Sequence, residues 1–191
     1  MSYGLTLITA PTVEPVSATE AKAQLRLEVT DDDTLVGTLI TTARRRAEAF
    51  LNRALIHQTW DLTLDAFPDA AWITMPLPPL VSITSVKYVD TAGTTQTWAT
   101  ANYTVDVSRT PGRVALAYNV DWPVTRDVVN AVTIRFVAGY GAAATDVPAD
   151  LVQGIKILVA ALYENRDGMG KDTPFPQMVR DLWAPHRIWH F

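Results

Sequence analysis

The spacing of apolar residues changes twice along this chain, and those changes constrain its fold more than any single motif. Residues 17–52 repeat every three to four positions, residues 57–137 alternate, and helical spacing returns from 148 to 183. The order is helices, a β insert, then helices. It predicts an α+β fold: a helical core built from N- and C-terminal helices, with an inserted antiparallel β unit of about six or seven strands. Expected boundaries are 1–56 for an N-terminal arm and two helices, 57–137 for the β insertion, 138–183 for the C-terminal helices, and 184–191 for a tail. No Gly/Ser-rich linker divides these blocks. The two helical parts are therefore expected to pack together in a single compact protomer, with the β unit projecting from them.

Local chemistry supports the blocks. Pro11 and Pro15 keep residues 1–16 extended. Ser17 and Glu20 have capping-box spacing, so a short helix should follow to about Leu27. An Asp among Asp31, Asp32 and Asp33 can cap a second helix running to about Asn52. Its apolar stripe reads Leu35, Leu39, Ala43, Ala47 and Leu51, flanked by Ile40 and Phe50, while Arg44, Arg45 and Arg46 fan around the axis. In the β block, Trp60, Leu62 and Leu64 share one face, and so do Val132, Ile134 and Phe136. The phase slips between Ile83 and Val86, which predicts a bulge. Residues 90–94 read as a turn, and Pro111-Gly112 fits the centre of a type II turn. Pro148 suits the first turn of a helix that Asp146 could cap and Gly168 and Gly170 could end. A short last helix is expected from about Pro176 to Trp183.

With 48% hydrophobic and 19% charged residues, the chain can build a core. A net charge of −4, with no massed Lys or Arg, argues against a face that grips nucleic-acid phosphates. Absence of cysteine excludes disulfides, thiolate metal sites and cysteine nucleophiles. The first residues lack the basic region of a secretory signal, and Leu151 to Tyr163 is too short to span a bilayer, so a soluble chain is expected.

Chemical motifs are weak. Gly139-x-Gly141-x-x-Ala144 echoes a dinucleotide fingerprint, but Asp146, Val147 and Pro148 stand where a helix should start at the glycines, so a turn is the better reading. His186 and His190 have helical metal spacing, yet Pro185 precedes them and no nearby carboxylate in sequence completes a set. The three aspartates lack the alternation of a calcium loop. Residues 75–80, MPLPPL, have Pro-x-x-Pro spacing, and a stiff connector between strands is favoured over a ligand motif. No catalytic residue, metal or cofactor is expected.

The end of the chain is more informative. Trp183, Ile188, Trp189 and Phe191 cluster around Pro185, where termini are usually polar and frayed. Burying such side chains is worth roughly 1.5–3 kcal/mol each as an upper bound. The tail either packs on its own body or docks on a partner. The 148–166 helix is apolar nearly all round, save Gln153 and Lys156, so its Leu151, Ile155, Val159, Leu162 and Tyr163 must be covered by the protomer or by neighbouring copies.

Several blocks together resemble a known family. VSATEAKAQLRLEVTDDDTLVGTLITTARRRAEAFLNRALIHQTWDLTLDAFP, ITMPLPPLVSITSVKYVD, YTVDVSRTPGRV, WPVTRD, VTIRFVAGYGAAATDVPADLVQGIKILVAALYENRD and LWAPHRIW are similar, in order, to the head–tail connector (adaptor) proteins of siphophages and gene transfer agents. The resemblance covers nearly the whole chain. It implies a non-enzymatic structural subunit with a helical core and a β insertion. It further implies a homo-oligomeric, portal-matched dodecameric ring between the portal protein and a downstream stopper or tail-completion protein. Double-stranded DNA would pass through the lumen without sequence-specific binding. The protein would sit at the head–tail interface of the virion, after assembly in the host cytoplasm, with no membrane partner. Family members dock on the portal largely through the C-terminal segment, so Trp183, Pro185, Ile188 and Trp189 become portal-contact candidates, with Phe191 just beyond the matched part. Leu151, Ile155, Val159, Leu162 and Tyr163 become ring-interface candidates. An acidic lumen would repel phosphate and let DNA slide. Two rival readings make distinct demands. A nucleotide-binding enzyme needs a polar pocket near Gly139–Asp146. A monomeric β-sandwich binding module needs an exposed PLPP loop, or exposed Trp98 and Trp122.

Overall fold

The structure is a computed structural model that describes residues 3–165 and 176–189. Contacts divide the chain into two compact units, Met1–Pro11 with His57–Tyr140 and Thr12–Ile56 with Gly141–Phe191. The segment before Pro11 therefore belongs with the strands and not with the helices.

The second of these units is helical, with α1 at Ala18–Leu25, α2 at Asp33–Leu51, α3 at Ala149–Glu164 and α4 at Gln177–Trp183. The Ser17 hydroxyl accepts from Glu20 N–H at 3.2 Å, and the Glu20 carboxylate accepts from Ser17 N–H at 3.0 Å, so the expected capping box forms. Arg26 and Asn52, at φ 56° and 53°, close α1 and α2 in the left-handed conformation. Asp32 is at the N-cap of α2 but makes no capping bond; its carboxylate accepts from the Tyr163 hydroxyl instead. The buried stripe of α2 is Val36, Ile40, Ala43, Ala47 and Leu51, and Leu35 and Leu39 are only half-buried. The first half of the stripe is thus turned by one residue from its sequence-based position.

Arg44 is the one charged side chain of α2 inside. Its guanidinium bonds Glu14 at 2.7 Å and Glu48, one helical turn on, at 2.7 Å. Burial works against its charge, but the two carboxylates more than offset this and its pKa is raised. Arg45 and Arg46 stay exposed. Helix α3 packs on α2 and α4 and buries Leu151, Gly154, Ile155, Leu158 and Val159. Its start follows Pro148; Asp146, expected to cap it, instead accepts from Ala143 N–H at 2.9 Å within its own 3-10 turn. The α3 helix ends at Glu164; Gly168 and Gly170 lie outside the described residues.

Among the described residues, the first unit holds eight strands: β1 Gly4–Thr9, β2 Gln58–Leu64, β3 Trp72–Thr74, β4 Leu80–Val89, β5 Thr95–Trp98, β6 Tyr103–Asp106, β7 Arg113–Leu116 and β8 Val132–Ala138. They form a five-stranded sheet ordered β1-β2-β8-β4-β5 and a three-stranded sheet ordered β3-β7-β6, antiparallel throughout. Strand β8 is central, and its Val132, Ile134, Phe136 and Ala138 are buried in strict alternation. The predicted bulge in β4 is present as a register shift between Ile83 and Ser85, with a second between Leu80 and Ser82. The 90–94 turn also forms, with Asp90 N–H bonding Thr94 C=O at 2.9 Å and Gly93 at φ 88°.

One expectation for this unit needs correction, and one demand of the rival binding-module reading is not met. Gly112 lacks the positive φ that a type II turn demands; it is small because Leu80 leaves no room, and an added Cβ would lie 2.6 Å from Leu80 Cβ. Trp98 is buried and Trp122 half-buried, not exposed. Phe67 stacks on Trp122 with ring centroids 4.8 Å apart and tilts against Trp98 at 5.9 Å, while Trp98 stacks on Tyr103 at 5.6 Å. Trp122 also donates to Ala70 C=O at 2.8 Å, which pins the long β7–β8 connection to the cluster. These aromatics form a satellite core.

Candidate docking surface

The tail of the helical unit follows from how α2 and α4 end. Pro185 cannot continue α4, and the chain tightens into a 3-10 turn over Ala184–His186 before extending through Trp189. The last carbonyls of α2 have no partners within the helix, and the tail supplies one for Leu51 C=O. Ile188 N–H donates to Leu51 C=O at 2.9 Å, and the Asn52 amide donates back to Ile188 C=O at 2.8 Å. Arg53 donates to His186 C=O, and the His186 ring meets the Asp150 carboxylate at the start of α3. Burial would raise the Asp150 carboxyl, but the His186 ring and backbone N–H groups hold it below its ordinary value.

Side chains on this fixed backbone divide into two sets. Trp183 is fully buried: its indole lies against Gly154, where an added Cβ would sit 2.1 Å from Nε1, and donates to Leu151 C=O at 3.3 Å. Phe50 covers it at 6.0 Å. Pro185 and Trp189 face outward, Trp189 at 65% exposure, and Ile188 is half-buried. The Arg187 guanidinium is held between two rings, 4.8 Å from Phe50 and 4.3 Å from Trp189, so the exposed indole is propped rather than loose. Beside it lies a depression of about 300 Å³ lined by Phe50, Arg180, Asp181, Ala184, Arg187 and Trp189, among others. His190 and Phe191 lie outside the described residues.

The structure therefore narrows the candidates. Trp183 cannot contact a partner directly, because its ring fills the space Gly154 leaves inside its own unit. Leu151, Ile155 and Val159, considered for a ring interface, are likewise fully buried against α2 and α4. Leu162 and Tyr163 remain half-exposed. Sequence reasoning missed Arg187, Phe50 and Asp150 as parts of this surface. A cation flanked by aromatics in sequence order, Arg187 before Trp189, was the available signal; Phe50 and Asp150 come from distant helices and gave none.

The dinucleotide reading finds no support here. A Cβ at Gly141 would sit 1.9 Å from Asp146 Oδ2, so a carboxylate occupies the turn in which a phosphate would have to lie. Among the described residues, no three His, Cys, Asp or Glu side chains converge on a metal-sized space. No helix among them is long and apolar enough to cross a membrane.

No protein-family model and no curated protein matches the chain. Solved structures do. A chain in the virion of a native gene transfer agent particle superposes with a TM-score of 0.81 at 26% identity, covering 98% of this chain and 96% of its own length. A chain from the neck of an empty gene transfer agent particle, computed with C6 symmetry, gives 0.80 at 27% identity, covering 98% and 97%. One from the neck of the native particle, computed with C12 symmetry, gives 0.72 at 27% identity with the same coverage. In fold, length and a quarter of its residues, this chain is similar to subunits of a phage-like particle.

Proposed function

We propose that the chain is a structural subunit of the neck of a phage-like particle, a head–tail connector that works without catalysis as one copy in a ring. The observation that carries this reading is end-to-end similarity, over 98% of the chain, to proteins of gene transfer agent necks computed with C6 and C12 symmetry. A dodecameric ring would sit between the portal and a stopper or tail-completion protein, with double-stranded DNA passing through. The net charge of −4 suits a channel along which phosphate slides.

Portal docking is assigned to the outward face of the tail, Pro185, Ile188 and Trp189, with Trp183 holding that face in place from beneath. Of the five ring-interface candidates on α3, Leu162 and Tyr163 are the two left for a neighbouring copy. The rival binding-module reading loses its exposed Trp98 and Trp122 to the aromatic cluster.

A pull-down on the portal protein of the same particle tests the assignment. Trp189→Ala should lower retention roughly tenfold or more, as loss of an aromatic anchor does. Its melting temperature should stay unchanged. Full retention by the folded variant would move the docking surface elsewhere.

A further inference from the structure

We propose that successive copies join their five-stranded sheets edge to edge, β5 of one copy beside β1 of the next. The inference rests on the ring reading above and names the contact that would build the ring.

Among the described residues, strand β1 pairs only with β2, and β5 only with β4. Among the described residues, the outward N–H and C=O groups of both strands have no other backbone partner. Open ladders of this kind invite another strand, and proteins usually blunt them with charge, proline or brevity. The smaller sheet follows that rule: β3 has three residues, and β6 carries Asp106. The larger sheet does not. Gly4–Thr9 and Thr95–Trp98 contain neither a charged residue nor a proline, and β1 leaves Leu7 39% and Ile8 43% exposed. The register of β1 slips between Leu7 and Thr9, so its regular ladder runs over Gly4–Leu7, four residues long like β5.

Direction then selects between assemblies. With five strands, each antiparallel to its neighbour, β1 and β5 run the same way. A cyclic head-to-tail contact needs two unlike surfaces and preserves direction from one copy to the next. It would place β1 beside β5 as a parallel pair. A two-fold dimer would instead join β1 to β1, antiparallel.

The absence of cysteine makes disulfide trapping clean. Thr97→Cys is combined in turn with Leu5→Cys, Thr6→Cys and Leu7→Cys in the full chain. Each variant is oxidised under conditions where light scattering of the unmodified chain reads its largest species. The expected result is a non-reducing ladder climbing from dimer to ring for at least one pair, with single variants staying unlinked. Rings by scattering with no ladder from any pair would overturn the edge contact and leave the ring reading standing. Quantitative dimers from a β1 cysteine alone would overturn it in favour of a two-fold. A chain that stays monomeric and unlinked throughout would overturn both. Thr97→Lys gives a second readout: the exposed position keeps the fold, shown by unchanged circular dichroism, and the ring fraction should fall at least tenfold. An unchanged ring fraction would count against the contact.

Discussion

Two residues set how closely the helices of the second unit approach. Gly154 gives up side-chain volume so that Trp183 can lie across α3 and bond Leu151 C=O. Gly154→Ala would gain about 1 kcal/mol of helix propensity. It would also force a methyl to 2.1 Å from a fully buried indole, and overpacking of that kind costs about 1–3 kcal/mol or more. The clash should win, and thermal melting should show a lower midpoint. Trp183→Ala should lose about 3–5 kcal/mol in a denaturant titration. A second residue-scale test concerns Arg44. Removing its guanidinium takes from Glu14 and Glu48 the cation that both of them bond. Arg44→Ala should cost about 3–5 kcal/mol, reduced by the partial exposure of Glu14. The triple variant with Glu14→Gln and Glu48→Gln should recover part of that loss in the same titration.

At the scale of elements, ion pairs tie the small helix α1 to its neighbours. Lys22 bonds Asp33 at 2.6 Å, and Glu20, besides its cap, accepts from Lys156 of α3 at 2.8 Å. The Lys156 hydrogen bond, then those from Ser17, lower the Glu20 carboxyl from 4.5 to about 2. A carboxyl depressed on folding stabilises the protein above its unfolded pKa, and that stability drains away as pH falls toward the folded one. The group is 45% exposed, so the contribution is below about 1 kcal/mol. Wild type should lose this increment between about pH 5 and pH 2, and Glu20→Gln should not, when urea midpoints are compared across that range. These elements also show what was legible in advance. The capping box, the bulge in β4 and the alternation of β8 are local, so their patterns stand in the sequence. Strand β1 reads only as extended chain, because Leu7 and Ile8 follow one another without alternation and its partner β2 lies far along the chain. The burial of Arg44 was hidden for the same reason: its spacing to Glu48 is visible, but Glu14 arrives from another segment. The Gly154–Trp183 fit likewise joins α3 to α4 and leaves no periodic trace.

At the scale of the whole molecule, the question is whether the tail serves the protomer or the assembly. On the proposed reading the tail does some of both, in separable parts. Trp183 serves the protomer. The segment after it is fastened to α2 by Ile188 and Asn52, to Arg53 through His186, and to α3 through Asp150, yet it presents Trp189 outward. Net contributions of such hydrogen bonds are about 0.5–1.5 kcal/mol each, so losing these four on deletion of Ala184–Phe191 should weaken the fold by about 2–6 kcal/mol without abolishing it. Folding is retained because the large buried ring remains. The deletion should nonetheless end portal binding, as should Trp189→Asp, which leaves the fastening intact. Urea titration and portal pull-down on the same two variants separate the roles. A deletion that unfolds would make the tail part of the protomer core. A folded deletion that still binds would place portal recognition on another face of the chain.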